Sequence, residues 1–199
     1  MLRREFSHLI DPTGRANQPE RTRAVAALFD LRLADEDDIR VVREISSQRI
    51  GDAVASVETF SAVQRRTQSS VFVFGEKGAV SAMVGLFFLR EPALALLDCC
   101  AFDASKPDLE LIAPPGEPGA AAYGWGFVAT SPAGGHAVVR AAMAFRDTLS
   151  WAIPTFTRTA TEDGVRIIRG PMRYQIYRPG EDQTLVWLPP SAAHGGRGL

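Results

Sequence analysis

Cysteine and histidine are scarce in this chain, which has two cysteines and three histidines among 199 residues. Cys99 and Cys100 are adjacent, a spacing that suits neither an ordinary intrachain disulfide nor a spaced pair of metal ligands. The histidines, His8, His136 and His194, are far apart in sequence. We therefore expect a domain without a structural metal.

The sequence also lacks long apolar runs and an excess of charge. The longest run, AVSAMVGLFFL (residues 79–89), falls well short of the roughly 20 residues needed to cross a bilayer. The start, MLRREFSHLI, is too charged for a secretory signal. Because 22 basic residues balance 23 acidic ones, no basic surface for nucleic acid is expected. These absences predict a soluble cytoplasmic protein that binds neither nucleic acid nor membrane.

Length and composition predict a single domain, since 46% hydrophobic content can supply one sizeable core. The segment DPTGRANQPE is rich in turn formers, so residues 1–23 are interpreted as a loosely attached arm. Residues 24–190 form the domain. The last residues, SAAHGGRGL (191–199), lack a core pattern and are expected to be a disordered tail.

Apolar periodicity divides the domain into strands and helices. Strands are predicted in AVAALFDLRLA, ALALLDCCAF, AYGWGFVAT, IPTFTRT, MRYQIYR and TLVWLP, and a β-hairpin in SSVFVFGEKGAVSAMVGLFFLR. Helices are predicted in DEDDIRVVREI (with Asp35 as N-cap), VETFSAVQRRT, the segment after Gly135, and ATEDGVRIIRG. The four prolines of residues 103–120 indicate a long loop. The sum is a mixed α/β domain with a predominantly antiparallel first half.

The segment YGWGFVATSPAGGHAVVRAAMAF (residues 123–145) reads as a strand, a glycine turn and a helix. Gly134 and Gly135 expose backbone N–H groups where the helix begins, an arrangement that can hold a phosphate. The turn is equally explained as a tight connection. Gly124 and Gly126 alternate with Tyr123, Trp125 and Phe127, so the aromatic residues are predicted to share one face of the strand. The alternating glycines indicate a bulge, a closely approaching ligand or room for a helix.

The order of these elements resembles the GNAT acyltransferase superfamily, which transfers acyl groups from acyl-CoA to amines. The resemblance lies in LRLADEDDIRVVREI, VFVFGEKGAVSAMVGLFFL, GWGFVATSPAGGHAVVRAAM and TATEDGVRIIRGPMRYQ, and it covers about residues 28–188. It implies a central, mostly antiparallel sheet of about six or seven strands flanked by about four helices. It also implies acetyl-CoA or another acyl-CoA as cosubstrate.

The resemblance assigns a CoA site to the third of these segments. The pantetheine arm would run along the strand, and the pyrophosphate would meet the loop after it. The residues assigned to CoA binding are Phe127, Val128, Ala129, Gly134, Gly135, His136 and Ala137.

The chain departs from the family pattern at two places. Pro132 stands where the family's loop has arginine or glutamine, and proline offers neither an N–H nor a polar side chain to a phosphate. The last helix, EDGVRIIRG, has no tyrosine to protonate the leaving thiolate. Transfer does not require that acid, because a CoA thiolate is already a fair leaving group near neutral pH.

Asp98 is the candidate catalytic base, because it ends a predicted apolar strand in the region where the family often places a base. The alternative is an aspartate that caps the next loop beside two buried thiols. His136 has similar alternatives, a base or an exposed histidine at a helix start. Five arginines near the last helix could reach the 3′-phosphate of CoA or an acidic substrate, or form a solvated face.

The first hypothesis is an N-acyltransferase that moves an acyl group, acetyl by preference, to a small-molecule or peptide amine by direct attack. The second is a GNAT-shaped binding or assembly module without transfer activity. In that case the apolar stretch VGLFFL could serve a homodimer interface as readily as the core. A third is an unrelated α/β domain in which the glycine turn is only a turn.

Overall fold

The computed structural model describes residues 7–51 and 53–191 of the chain. Its α-helices are α1 (Pro19–Ala27), α2 (Glu36–Ile50), α3 (Val57–Thr67), α4 (Pro92–Asp98), α5 (Pro132–Leu149) and α6 (Glu162–Arg169). Its strands are β1 (Leu31–Leu33), β2 (Val71–Phe74), β3 (Ala82–Leu89), β4 (Ala121–Ala129), β5 (Thr155–Arg158), β6 (Gln175–Arg178) and β7 (Asp182–Leu188). The predicted tail, apart from residue 191, lies outside the described residues, as do the first six residues of the predicted arm.

The strands form one sheet in the order β1-β2-β3-β4-β5-β7-β6. Neighbouring strands are antiparallel except β4 and β5, which pair in parallel. A parallel pair needs a crossover, and α5 supplies it. The predicted mixed α/β class with a mostly antiparallel sheet is therefore confirmed.

Several predicted elements are found as expected, because their local signals agree with the packing. Asp35 caps α2 and forms a reciprocal capping box with Asp38. Arg32 of β1 binds the buried carboxylate of Asp38 through both of its terminal nitrogens, which fixes the strand to the helix. The predicted hairpin is β2 and β3.

The strand predicted over residues 24–34 is wrong for its first part. Residues 19–27 form α1, and only Leu31–Leu33 are in a strand. Pro19 lies in the first turn of α1, a position that proline favours, and alanine-rich sequence propagates a helix well. Val25 and Ala26 are fully buried in the core beneath α5.

The predicted strand ALALLDCCAF is also wrong, since residues 92–98 form α4. Pro92 again lies in the first turn, and alanine and leucine have high helix propensity. Ala93 and Leu97, one turn apart, are the residues that α4 buries. The long loop predicted after this element is present, with a short 3-10 helix at Leu109–Leu111.

The description of residues 11–20 as loosely attached is wrong as well. The Asp11 carboxylate is fully buried and accepts hydrogen bonds from the backbone N–H groups of Thr13, Arg15 and Ala16. Asn17, 1% exposed, donates to two backbone carbonyls of the domain. The predicted boundary at residue 24 therefore falls inside α1, in a segment packed on the domain.

Helices cover both faces of the sheet, and β3 alternates between them. Val84, Leu86 and Phe88 point to the face covered by α1 and α5, called here the α5 face. Met83, Phe87 and Leu89 point to the face covered by α2, α3 and α4, called here the α3 face. Every residue of β3 is buried within the chain, so the stretch VGLFFL belongs to the core and is not available to an interface.

Candidate functional site

Strand β4 extends five residues beyond the last residue that it pairs with β5. The pairing covers Ala122–Gly124 with Thr155–Thr157, whereas β4 continues to Ala129. Beyond Gly124, β4 is paired with β3 alone. We call the region beside this unpaired edge of β4 the wedge and the Gly124–Thr157 pair its apex. The backbone of residues 125–129 on the β5 side is therefore left without a strand partner.

A hydrogen bond fixes the apex. Thr157 Oγ1 donates to the carbonyl oxygen of Gly124 at 2.7 Å, and Thr157 is 2% exposed. A Cβ atom on Gly124 would lie 3.4 Å from Thr157 Cβ and 3.3 Å from Phe127 Cζ. Glycine at position 124 thus lets both side chains approach the strand closely.

A β-bulge lies directly beyond the apex. Gly85 of β3 pairs with Gly126, but the next β3 residue, Leu86, pairs with Gly124, so Trp125 is an extra residue on β4. The extra residue reverses the alternation of side chains after it. Phe127 consequently points to the α5 face, opposite Tyr123 and Trp125. The predicted common face for these three aromatic residues is wrong, while the bulge that the glycines indicated is present.

The strand residues assigned to CoA bury much of their side chains in the core. Val128 packs on the α3 face, and Ala129 packs on the α5 face. Phe127 packs between the core under α5 and the smaller core under α6. A ligand in the wedge would therefore meet mainly the backbone of these residues and the ring of Phe127.

The predicted glycine turn is part of helix α5. Ser131 is the N-cap, and its Oγ accepts the N–H of Gly134 at 3.1 Å. The N–H of Gly135 donates to the carbonyl oxygen of Ser131 at 2.9 Å. Pro132 has no N–H, so Ala133 carries the first-turn N–H that neither the cap nor the helical pattern uses. An anion here would bind Ala133 N–H and compete with Ser131 Oγ for the N–H of Gly134.

The two glycines differ in their surroundings. A Cβ on Gly134 would lie 2.7 Å from Ala82 Cβ, so glycine at this position lets α5 approach β3. At Gly135 the nearest atom would be Ala129 Cβ at 3.7 Å, an ordinary contact. His136 is exposed and Ala137 is half-buried. The space requirement at Gly134 is thus structural, whereas Gly135 has room for a Cβ atom.

Asp98 lies at the C-terminal end of α4, not on a strand. Its carboxylate accepts a hydrogen bond from the hydroxyl of Tyr177 and lies 3.7 Å from Arg178 Nη2. Both partners belong to β6, which β7 separates from β5. The hydrogen bond to Asp98 raises the pKa of Tyr177. The structure therefore joins Asp98 to β6 and not to β4 or the first turn of α5.

Sequence analysis did not single out the contacts of Arg158, the last residue of β5. Arg158 forms an ion pair with Asp182 of β7 and donates to the carbonyl oxygen of Cys100 at 2.7 Å. Burial raises the pKa of Asp182, but hydrogen bonds from Thr184 and the charge of Arg158 outweigh it and lower that pKa to about 2. This arginine is thus occupied in structural contacts. Arg166 is paired with Asp163, and Arg178 lies near Asp98.

An aromatic cluster fills the α3 face behind the bulge. The ring centroid of Trp125 lies 4.5 Å from that of Phe60 and 5.3 Å from that of Phe87. Trp125 Nε1 donates to the carbonyl oxygen of Ala104 in the long loop at 2.7 Å. Burial of Tyr123 in the same cluster raises its pKa. The side chains behind the apex are therefore close-packed and anchored to the loop.

Two open cavities lie elsewhere on the molecule. One, of about 650 Å³, is lined by Arg15, Arg90, Glu91, Pro92, Leu94, Glu117, Pro118, Gly119 and Ala120. The other, of about 230 Å³, is lined by Ala34, Asp35, Glu36, Ile39, Ser61, Gln64 and Arg65. Neither is lined by a residue of the wedge or of the first turn of α5. The candidate site is therefore marked by the backbone geometry of β4 and β5.

Within residues 7–51 and 53–191, no helix is long and apolar enough to span a membrane. The same residues contain no group of three or more histidine, cysteine, aspartate or glutamate side chains placed to hold a metal ion.

Comparison with known proteins gives a fold but no sequence relative. No protein-family model matches the chain, and no curated protein matches it in sequence. An N-acetyltransferase from Staphylococcus aureus Mu50 superposes with a TM-score of 0.50 at 11% identity, over 80% of this chain and 96% of that one. The GphF GNAT-like decarboxylase, solved in complex with isobutyryl-CoA, gives 0.48 at 18% identity, over 79% and 96%. The fold of this chain is GNAT-like.

Proposed function

We propose that this protein binds an acyl-CoA along the wedge and transfers its acyl group to an amine. The observation that carries the proposal is the edge of β4 without a strand partner, which runs from the apex toward the first turn of α5. A linear ligand with amide groups can pair with a free strand edge as an added strand does. A phosphate at its other end would meet the helix N-terminus, where partial positive charge favours anions.

The proposed chemistry is direct attack. The amine nitrogen bonds to the thioester carbonyl carbon, the carbon–sulfur bond breaks, CoA leaves as the thiolate, and the amine releases its proton. Between residues 123 and 137 only Tyr123 and His136 are titratable, one deeply buried and the other exposed. Positioning by the backbone therefore supplies most of the proposed rate acceleration. The attacking amine must arrive unprotonated or lose its proton to water.

A specific observation favours the second candidate, a binding or assembly module that does not transfer. The N–H groups of Gly134 and Gly135 already donate to Ser131, and Pro132 has none to offer. This first turn can thus give an anion few hydrogen bonds. Cytoplasmic location and a homodimeric state stay predictions of the sequence.

Calorimetric titration of the purified protein with acetyl-CoA tests the proposal. Gly135→Leu would place a bulky side chain beside the first turn of α5, and Ala95→Leu adds the same side chain at an exposed position of α4. We expect micromolar binding to the wild type and to Ala95→Leu, and its loss in Gly135→Leu.

A thiol-release assay with a panel of amines then separates the two candidates. Acyl-CoA binding with amine-dependent release of CoA supports the transferase. Binding without release from any amine supports the binding module. No binding of acetyl-CoA or of longer acyl-CoAs by the wild type contradicts both.

A further inference from the structure

The acyl end of a ligand in the wedge would lie at the apex, an inference that rests on the proposed function. The phosphate end is assigned to the first turn of α5, which follows β4 directly. An arm lying along the free edge of β4 then runs from Ala129 back toward Gly124, where pairing with β5 begins. The thioester therefore reaches the backbone beside Trp125.

Aromatic rings stand on both sides of the sheet at this point. On the α5 face, the Phe127 ring lies over Gly124. On the α3 face, the indole of Trp125 lies against Phe60 and Phe87, which are 2% and 1% exposed. Protein interiors packed in this way leave few voids larger than a water molecule. An acyl chain that extends from the apex would have to displace one of these rings.

Of these two rings, the indole of Trp125 is held by more contacts than the ring of Phe127. It has two aromatic neighbours and a hydrogen bond from Nε1 to the Ala104 carbonyl oxygen at 2.7 Å. Moving it would break that hydrogen bond as well as the ring contacts. The same cluster continues through Tyr123 and Phe102, although Trp125 itself is only half-buried.

We propose that Trp125 is the residue that sets acyl-chain length, and that it restricts the ligand to short acyl groups such as acetyl and propionyl. The restriction is steric, because the indole and Phe60 occupy the volume that the further methylenes of a longer chain would need. A smaller side chain at position 125 or 60 opens that volume to apolar methylenes.

Binding of CoA, acetyl-CoA and hexanoyl-CoA, measured by calorimetry, tests this assignment. All three share the pantetheine and phosphate groups, so the affinity ratio of acetyl-CoA to hexanoyl-CoA isolates the acyl end. We expect the wild type to prefer acetyl-CoA by about tenfold or more, as a tight apolar pocket discriminates against added methylenes. Trp125→Leu and Phe60→Leu should each remove or reverse that preference.

Phe145→Leu is the matched control, because Phe145 is 1% exposed and packs on Phe72 in the core of the α5 face. It loses a buried ring without changing the α3 face, so the acetyl preference should persist. Phe60→Leu keeps the test decisive if Trp125→Leu does not fold.

Three outcomes would overturn the assignment, and they differ from one another. Equal wild-type affinity for acetyl-CoA and hexanoyl-CoA would reject the length restriction while leaving the proposed function in place. A preference changed by Phe127→Leu but by neither Trp125→Leu nor Phe60→Leu would move the restriction to the α5 face. Failure of all three ligands, CoA included, to bind the wild type would contradict the proposed function itself.

Discussion

Thr157 Oγ1 and the carbonyl oxygen of Gly124 are joined by a 2.7 Å hydrogen bond at the point where β4 and β5 separate. The bond lies at the last pair of residues that the two strands share. Among the described residues, β4 and β5 form the one parallel strand pair, and this bond stabilises the pair where it ends.

The first prediction concerns this bond. Thr157→Val keeps the shape of the side chain but removes the donor, which leaves a polar group unpaired in a buried site. We expect the free energy of unfolding to fall by about 1–3 kcal/mol. Urea denaturation measures the change. Thr157→Ser, which restores the hydroxyl, should lose less than Thr157→Val; the reverse order would show that the methyl group, not the hydrogen bond, holds the apex.

The second prediction separates the two glycines of α5. Gly134→Ala forces a Cβ to within 2.7 Å of Ala82 Cβ, and we expect it to destabilise the protein by about 1–3 kcal/mol. Gly135→Ala meets only an ordinary contact and should stabilise by about 0.5–1 kcal/mol through helix propensity. Chemical denaturation of the two variants gives the comparison.

Ala82→Gly supplies the control for this pair. Combined with Gly134→Ala it removes the opposing methyl group, so the double variant should recover part of the stability that Gly134→Ala loses. Additive losses in the double variant would contradict a clash between positions 82 and 134.

The third prediction concerns tyrosine ionisation. The chain has three tyrosines, and burial raises the pKa of Tyr123 and Tyr174, so Tyr177 should ionise first. The hydrogen bond to Asp98 raises the pKa of Tyr177. Asp98→Asn should therefore move the first tyrosinate transition to lower pH, measured by ultraviolet absorbance.

Tyr177→Phe identifies the transition, since it should abolish it. An unchanged transition in Asp98→Asn would mean that the carboxylate does not hold the Tyr177 hydroxyl in solution.

The fourth prediction concerns the loss of folding stability at acidic pH. The pKa of Asp182 is lowered from 3.8 to about 2 in the folded protein, so its charged form stabilises the fold. That contribution is fully present above the unfolded value of 3.8 and is lost as the pH falls to about 2. Asp182→Asn should thus be less stable than wild type at neutral pH, and the difference should shrink across that interval.

Denaturation at a series of pH values measures this difference. Glu181→Gln, which removes a carboxylate at an exposed neighbour in the same turn, is the control. A stability difference for Asp182→Asn that stays constant down to pH 2 would contradict the lowered pKa.

Local sequence signals predicted an element correctly where that element contained its own helix cap, turn residues or apolar periodicity. The N-cap at Asp35, the hairpin of β2 and β3, and the helix predicted in ATEDGVRIIRG all follow from short-range patterns that the packing does not oppose. The strand interpretation was wrong where a short apolar run consisted of strong helix formers. In α1 and α4, a proline in the first turn was the signal that could have corrected the interpretation.

The candidate site was less predictable, because it depends on pairing between distant segments. The glycines at 124 and 126 indicated a bulge, but only the register with β3 shows that Trp125 is the extra residue and that Phe127 changes face. The extent of the wedge depends on where β5 ends. The partner of Asp98 is Tyr177, which lies 79 residues later in the chain. A local sequence pattern cannot predict contacts between residues so far apart in the chain.

The parallel pairing of β4 with β5 has a mechanical consequence. The sheet consists of two antiparallel groups of strands, β1 to β4 and β5 to β7, and three residue pairs join them. Rotation of one group against the other would strain few hydrogen bonds. A ligand that contacted both groups would add a further bridge between them and would oppose that rotation.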